Sequence, residues 1–205
     1  TLSSSSAASD VYKRQLYGYV PPPGDPRLTN PRSYSLSACK MVSDVFRMYG
    51  VFVGGRGNRC LSVLGAGQID KYGNMNSTKS SEGLYLIGSG GGNDATNAKE
   101  TIVLMEQSRS RFVDKLPYIT CVGDRVTTVI SNKGIFEKIG DGNELTLTGY
   151  FTDPSLPNTD AVVKSIRENC GWELKISPRP RKIHPPNLDE LIPLRLLDPD
   201  GHFTR

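Results

Sequence analysis

The stretch Leu84-Tyr85-Leu86-Ile87-Gly88-Ser89-Gly90-Gly91-Gly92-Asn93-Asp94 places a short apolar run directly before a loop with four glycines in five positions. Four consecutive apolar residues bounded by turn residues predict a strand that is buried on both faces. A helix is predicted to begin near Asp94, just after the loop. A strand, a glycine loop and a helix in this order are typical of an α/β fold.

The glycine loop, residues 88–92, lacks almost every Cβ atom, so its backbone can reach positive φ and approach a ligand closely. Its free amides can hold a phosphate, or they can stabilise an oxyanion at a reacting carbonyl. The alternative is a flexible surface loop without a ligand. The common nucleotide motifs do not match, because the sixth position of a G-x-G-x-x-G pattern is Asn93 and a G-x-x-x-x-G-K-[ST] loop is absent.

The rest of the chain extends the same pattern of short apolar runs and amphipathic segments, and it predicts an open, mostly parallel sheet flanked by helices. The turn signal Asp141-Gly142 predicts a β-hairpin near residues 134–150, appended to this sheet. A tight turn is expected at Tyr72-Gly73-Asn74. Further strands are predicted at 51–53, 60–64, 101–105, 118–122 and 127–130. Helices are predicted at 36–49, with Gly50 as the stop, at 160–169, with Thr159 as a candidate N-cap, and at 187–197. A proline-rich linker is predicted at 178–186.

Composition and charge exclude several classes of protein. The chain has 205 residues, 37% of them hydrophobic and 22% charged, with a mild net charge of +4. The basic clusters at 109–111 and 179–182 lack the interleaved aromatic residues of a nucleic-acid footprint. No window approaches the roughly 20 apolar residues of a membrane helix. We therefore expect a cytoplasmic protein that binds neither nucleic acid nor a membrane.

Metal and redox chemistry are poorly supported. The four cysteines, Cys39, Cys60, Cys121 and Cys170, are scattered singly, and no C-x-x-C pair occurs. Both histidines, at positions 184 and 202, lie near the C-terminus, so a histidine-centred triad or metal cluster is not expected. The sequence predicts no metal site.

Four ordered motifs resemble those of family I CoA-transferase β subunits, most closely the type found in glutaconate CoA-transferase. The first is the segment at 65–78, Gly-Ala-Gly-Gln-Ile-Asp-Lys-Tyr-Gly-Asn-Met-Asn-Ser-Thr. The others are the glycine loop with Asn93 and Asp94, the region 101–115, and Leu-Asp-Pro-Asp-Gly at 197–201. The similarity covers most of residues 60–205.

The resemblance implies a catalytic cycle in which a glutamate carboxylate attacks an acyl-CoA thioester, and CoA then passes to a second carboxylic acid. Coenzyme A or acyl-CoA is the implied substrate, and a CoA-transferase α subunit is the implied partner. Gly90 and Gly91 are the expected amide donors to the thioester oxygen. The expected CoA-binding residues are Gly88, Ser89, Gly90, Gly91, Gly92, Asn93 and Asp94, with Gln68, Asn74 and Asn76, which either line the same cleft or only build the turn.

The chain departs from the family at the nucleophile. The family carries its glutamate in an E-[NS]-G motif before this region, whereas residues 16–60 contain no glutamate. Glu82, in Ser81-Glu82-Gly83, has the wrong spacing and position and is interpreted as a loop residue. Two alternatives stay open: an acyl-CoA ring hydrolase of the same fold, and a non-catalytic CoA-binding or structural subunit.

The N-terminal residues differ in character from the remainder. Residues 5–15, Ser-Ser-Ala-Ala-Ser-Asp-Val-Tyr-Lys-Arg-Gln, resemble the translation of a sequencing adapter. We therefore expect residues 1–15 to be a non-native, disordered leader. We expect residues 16–205 to be a truncated β-subunit domain that lacks the nucleophilic glutamate. Such a fragment is expected to be inactive alone and to expose apolar surface.

Overall fold

A six-stranded sheet organises the part of the chain that the computed structural model describes, residues 44–197. Its strand order is β1-β4-β5-β6-β7-β8. The strands are β1 (Leu61–Leu64), β4 (Glu100–Leu104), β5 (Val126–Ile130), β6 (Gly134–Lys138), β7 (Leu145–Phe151) and β8 (Lys175–Ile183). The remaining elements are a separate antiparallel pair, β2 (Gln68–Ile69) and β3 (Met75–Asn76), a π-helix (Arg47–Val53), and the helices α1 (Gly92–Ala95), α2 (Thr159–Glu168) and α3 (Leu188–Leu197).

The sheet is mostly parallel, which confirms the predicted fold class. Strand β4 pairs in parallel with both β1 and β5, and β7 pairs in parallel with β8. The predicted hairpin is also present, because β6 pairs antiparallel with β7. It is not appended to the sheet, however. Strands β5 and β8 flank it, so the hairpin lies inside the sheet.

The hydrophobic core connects the sheet to the segment that carries the first motif. Phe112 is fully buried and stacks on Trp172 with ring centroids 5.6 Å apart. It also contacts Phe136 of β6 at 5.4 Å between centroids. Backbone hydrogen bonds from Ile69 to the Arg111 carbonyl (2.8 Å) and from Val113 to the Ile69 carbonyl (3.0 Å) then fix β2 against this aromatic cluster. The core thereby positions the turn that follows β2.

The predicted helix at 36–49 lies partly outside the described residues. Where it is described, the chain forms a π-helix that continues through Gly50 to Val53. The predicted stop at Gly50 and the predicted strand at 51–53 are therefore wrong. Apolar residues at 51–53 continue the helix because a three-residue apolar run fits a buried helix segment as well as a strand.

Two further predicted strands are extended loops. Residues 84–87 make one isolated bridge, Lys79 with Tyr85, and residues 118–122 make one, Met75 with Cys121. Both segments are largely solvent-exposed and lie outside the sheet, with Tyr85 and Ile87 79% and 77% exposed. An apolar run predicts burial only when another layer covers it, and no described element covers these segments.

The predicted proline-rich linker at 178–186 is also wrong, because residues 175–183 form the edge strand β8. An edge strand tolerates proline because one row of its backbone groups has no strand partner. The register places Leu147 opposite Ile176 but Gly149 opposite Arg181. Both prolines of β8, Pro178 and Pro180, therefore fall in the irregular stretch where the ladder is interrupted.

Candidate functional site

The glycine loop adopts a conformation that requires glycine. Gly88, Gly90 and Gly91 have φ values of 89°, 64° and 124°, in the region that side chains disfavour. The Gly88 amide donates to the Ser77 carbonyl at 2.8 Å, and the Gly92 amide donates to the Ser89 carbonyl at 3.1 Å. Within residues 44–197 the amides of Gly90 and Gly91 have no hydrogen-bond acceptor. These two amides are therefore available to a ligand.

The helix after the loop is short. Helix α1 begins at Gly92, close to the predicted start, and ends at Ala95. One turn of helix has almost no macrodipole, so its contribution to binding an anion is small. Anion binding at the loop therefore depends on the two free amides and not on a helix dipole.

The predicted turn at Tyr72-Gly73-Asn74 is present and is held by the Asp70 carboxylate. Its Oδ1 accepts hydrogen bonds from the amides of Tyr72 (2.9 Å) and Asn74 (3.0 Å), and Gly73 has a φ of 81°. The Asn74 side chain donates to Asp70 Oδ2 at 2.9 Å and accepts from the Gly123 amide at 2.8 Å. Asn74 thus joins this turn to the segment around Gly123.

Asn76 and Gln68 hydrogen-bond to each other across the β2–β3 pair. Asn76 is fully buried, and its Nδ2 donates to Gln68 Oε1 at 3.0 Å and to the Lys79 carbonyl at 2.7 Å. The Gln68 Nε2 donates to the Ser110 carbonyl at 3.0 Å. The polar side-chain atoms of both residues therefore have partners within the chain.

The structure brings the two predicted motifs together. The start of the glycine loop hydrogen-bonds to Ser77, which directly follows Asn76, so the loop and the segment at 65–78 are neighbours. At the other end of the loop, Ser89 Oγ donates to Asn93 Oδ1 at 3.3 Å, and Asn93 and Asp94 are exposed on α1. The hydrogen bonds described above stabilise this arrangement through Gln68, Asn74 and Asn76. Contact of these three side chains with a cofactor remains a prediction.

Cys121 belongs to the site, although in the sequence it is one of four singly scattered cysteines. Its side chain is 4% exposed and lies under the loop, 3.6 Å from where a Cβ on Gly92 would stand. Burial raises the pKa of its thiol to about 11, and the Ser89 side chain, within hydrogen-bonding reach, opposes part of that rise. No sequence motif marks this position, since only the fold brings residue 121 to residue 92.

Glu82 is exposed in the turn between Ser80 and Leu84, where the Gly83 amide donates to the Ser80 carbonyl at 3.1 Å. Its interpretation as a loop residue agrees with this position. In the part of the chain between residues 44 and 197, His, Cys, Asp and Glu side chains form no group of three that could hold a metal ion. None of the helices in that range is long and apolar enough to cross a membrane.

Comparisons of sequence identify two curated relatives, while no family model matches the chain. The chain is 29% identical over 177 residues to the B subunit of 3-oxoadipate CoA-transferase from Pseudomonas knackmussii, covering 77% of this chain and 64% of that protein. It is 28% identical over 142 residues to the B subunit of glutaconate CoA-transferase from Acidaminococcus fermentans, covering 60% of this chain and 51% of that protein. The chain thus spans between half and two thirds of the length of these relatives.

Comparisons of structure agree. Glutaconate coenzyme A-transferase from Acidaminococcus fermentans superimposes with a TM-score of 0.69 at 24% identity, covering 83% of this chain and 72% of that one. The decarboxylase AibA/AibB superimposes with a TM-score of 0.65 at 22% identity, over 84% of this chain and 69% of that one. The fold is that of the CoA-transferase class of α/β proteins. Within that class, the chain is a relative of the family I CoA-transferase B subunits, which confirms the resemblance found in the sequence.

Proposed function

We propose that this chain acts in the B subunit of a CoA-transferase, which moves coenzyme A between an acyl-CoA and a carboxylic acid. The observation that carries the proposal is the pair of free amides at Gly90 and Gly91, held beside the segment at 65–78. Two curated CoA-transferase B subunits share sequence with the chain. Acyl-CoA is the proposed substrate, with no metal involved, and the cytoplasm is the proposed location.

The amides of Gly90 and Gly91 bind the thioester oxygen of the acyl-CoA. Attack on a thioester carbonyl develops negative charge on that oxygen, and preorganised backbone donors stabilise the charge without reorganising. The residues beside these donors, Gly88, Ser89 and Gly92, allow the close approach of the ligand. The exposed side chains of Asn93 and Asp94 border the same surface.

The reaction proceeds through a glutamyl-CoA thioester. A glutamate carboxylate attacks the acyl-CoA and forms a mixed anhydride with release of the CoA thiolate. The thiolate then attacks the glutamyl carbonyl of the anhydride, which gives the enzyme thioester and releases the donor acid as its carboxylate. The acceptor carboxylate reverses these two steps, leaves as acyl-CoA and regenerates the glutamate. Glu82 is not the nucleophile of this proposal, because it is exposed in the turn between Ser80 and Leu84. We expect the chain as given, purified with its A subunit, to yield no glutamyl-CoA adduct at Glu82.

The partner in the proposal is an A subunit. Seven exposed apolar residues lie in the two segments next to the loop, and we call them the apolar rim: Leu84, Tyr85, Leu86, Ile87, Tyr118, Ile119 and Val122. Its two parts meet across Thr78, whose carbonyl accepts from the Leu86 amide (2.7 Å) and whose Oγ1 lies 2.8 Å from Thr120 Oγ1.

The size of the apolar rim supports a protein partner. The seven residues together expose on the order of 800 Å², which is about what one partner contributes to a standard protein interface. A partner that covers the rim would also exclude water from the loop. The lower local dielectric constant would strengthen the hydrogen bonds from the loop amides to the thioester oxygen.

A CoA-transfer assay on the complete B subunit, produced with its A subunit, tests the function. Transfer of CoA from a panel of acyl-CoA donors to acetate, with an enzyme-bound CoA thioester seen by mass spectrometry, would support the proposal. Release of free acid and CoA without an acceptor would instead favour the ring hydrolase. Binding of CoA with neither reaction would favour a non-catalytic subunit.

The variant Gly90→Ala tests the role of the loop, and Gly140→Ala is its matched control. Both residues are exposed glycines with similar φ values, 64° and 58°, and Gly140 lies in the β6–β7 hairpin. We expect similar losses of stability, about 1 kcal/mol each. Alanine keeps the backbone N–H, but its Cβ disfavours the positive φ that orients this donor towards the ligand, so only Gly90→Ala should lower the rate of CoA transfer, by about tenfold or more. Equal rates in the two variants would contradict the role of the loop.

A further inference from the structure

The glycine loop is supported from below by the segment that contains Cys121. Gly92 is buried, and a Cβ placed on it would lie 3.2 Å from Ser89 Cβ and 3.6 Å from Cys121 Sγ. The loop backbone therefore packs directly on these two side chains. A change in the volume of the side chain at position 121 would be transmitted to Gly92.

The support itself is anchored on both sides. Met75 and Cys121 exchange two backbone hydrogen bonds, with N–O distances of 2.9 and 3.1 Å. The hydroxyl of Thr120 accepts from the Ser77 amide at 2.9 Å, and the Ser77 carbonyl in turn accepts from Gly88 at the start of the loop. The loop and its support thus share one anchor, the backbone at 75–77, and Cys121 fills the space between them.

We propose that Cys121 is a positioning residue for the glycine loop. By packing against Gly92 and Ser89, its side chain holds Gly90 and Gly91 in the positive-φ conformation that leaves their amides free. The importance of this loop conformation for catalysis rests on the function proposed above for the loop. The packing of Cys121 against the loop is a property of the fold alone.

A packing role suits the chemistry of this thiol. A thiolate beside an acyl-CoA would attack the thioester carbonyl, release the CoA thiolate and leave the acyl group on its own sulfur, in competition with the transfer. Burial raises the pKa of Cys121 to about 11, so at neutral pH the side chain is the weakly nucleophilic thiol.

Hydrogen exchange of the loop amides tests the support. The amides to follow are those of Gly88, Gly92 and Ala95, which have acceptors and report on loop order. We expect their exchange to accelerate at least tenfold in Cys121→Leu, which overfills the space, and in Cys121→Ala, which empties it. Cys121→Ser, which conserves size, should exchange like wild type. The matched control is Cys170→Ala, since Cys170 is also buried (3% exposed) but lies just after the C-cap of α2.

The affinity for acyl-CoA, measured on the complex of the A and B subunits, distinguishes the support of the loop by Cys121 from the function proposed for the loop. We expect the Kd to rise at least tenfold in Cys121→Leu and Cys121→Ala, and to stay near wild type in Cys121→Ser and Cys170→Ala. Loop exchange in Cys121→Leu and Cys121→Ala that matches Cys170→Ala would overturn the positioning role. Faster loop exchange with an unchanged Kd would overturn the function assigned to the loop and would leave the support by Cys121 standing.

Discussion

Asn76 shows how a single buried amide can organise the region around a site. It makes four hydrogen bonds, donating to Gln68 and the Lys79 carbonyl and accepting from the amides of Thr78 and Lys79. They connect β3 to Gln68 of β2 and to the backbone at residues 78–79. A buried amide whose hydrogen bonds are all satisfied stabilises the fold, and its removal leaves several buried groups without partners.

Asn76→Ala should therefore lower the free energy of unfolding by about 3 kcal/mol, because buried acceptors and donors lose their partners. Urea denaturation measures this loss. Asn143→Ala is the control, since Asn143 is exposed and makes no side-chain hydrogen bond within the described residues. A loss of less than about 1 kcal/mol in Asn76→Ala would contradict the structural role.

The Cys121 thiol makes stability depend on pH at the alkaline end. Its pKa rises from the ordinary 9.0 to about 11 on folding, because burial disfavours the thiolate. The protonated thiol's contribution is therefore fully present below pH 9 and is lost as the pH rises through about 11. Between about pH 7.5 and about pH 10, the stability of wild type relative to Cys121→Ser should fall by about 1 kcal/mol.

Paired denaturation curves of these two proteins at each pH measure the effect. Other groups that titrate in this range, including Cys170, cancel in the difference because both proteins contain them. A difference that stays constant from neutral to alkaline pH would show that the thiol is not buried as described.

At the scale of the element, helix α2 illustrates how a boundary depends on backbone geometry. The sequence predicted a helix at 160–169 with Thr159 as its N-cap, and the helix is present at Thr159–Glu168. The N-cap is Asn158, which has extended backbone angles and whose Oδ1 accepts from the Ala161 amide at 2.9 Å. Either residue suits a cap, and the backbone angles decided between them.

We expect Asn158→Ala to destabilise the protein by about 1 kcal/mol, the usual cost of losing a side-chain N-cap. Thr159→Ala, the neighbouring control, should change stability by less than about half of that amount, because its hydroxyl makes only a long contact (3.3 Å) with Tyr150. Thermal unfolding of both variants measures the two effects. The reverse order would place the cap at Thr159.

At the scale of the whole molecule, the apolar rim is an exposed apolar surface next to the candidate site. The core is one cluster in which Phe112, Phe136 and Ile69 are fully enclosed. The seven residues of the rim are not part of this cluster and stay exposed, as do Leu188 and Leu196 of α3. A partner that covers the rim would complete the site as well as the fold.

The double variant Leu84→Ser/Ile87→Ser tests this assignment. Both residues are exposed (65% and 77%), so the chain should fold normally, but copurification with a tagged A subunit should fall at least tenfold. Leu188→Ser/Leu196→Ser is the matched control, because these leucines are equally exposed (68% and 69%) on α3. Equal copurification of the two double variants would show that the rim is not the contact surface.

Local chemistry let the sequence determine the fold class, the β6–β7 hairpin, the turn at Gly73, the helix at 159–168 and the glycine loop. Each of these rests on residues close together in the chain: a turn dipeptide, a helical repeat, or glycines that alone allow a positive φ. The motif at 65–78 and the glycine loop are also short segments of sequence. The resemblance to the family could therefore be recognised without the tertiary structure.

Only the tertiary structure decided which apolar runs are buried and what supports the loop. Residues 84–87 and 118–122 have the composition of buried strands, yet residues 84–87 and most of 118–122 are exposed, with Cys121 buried. The reason is that burial depends on layers contributed by distant parts of the chain. Pro178 and Pro180 form part of a strand because the sheet ends there and the ladder is interrupted around them. Cys121 reaches Gly92 across 29 positions of sequence through its pairing with Met75, a contact that no local pattern encodes.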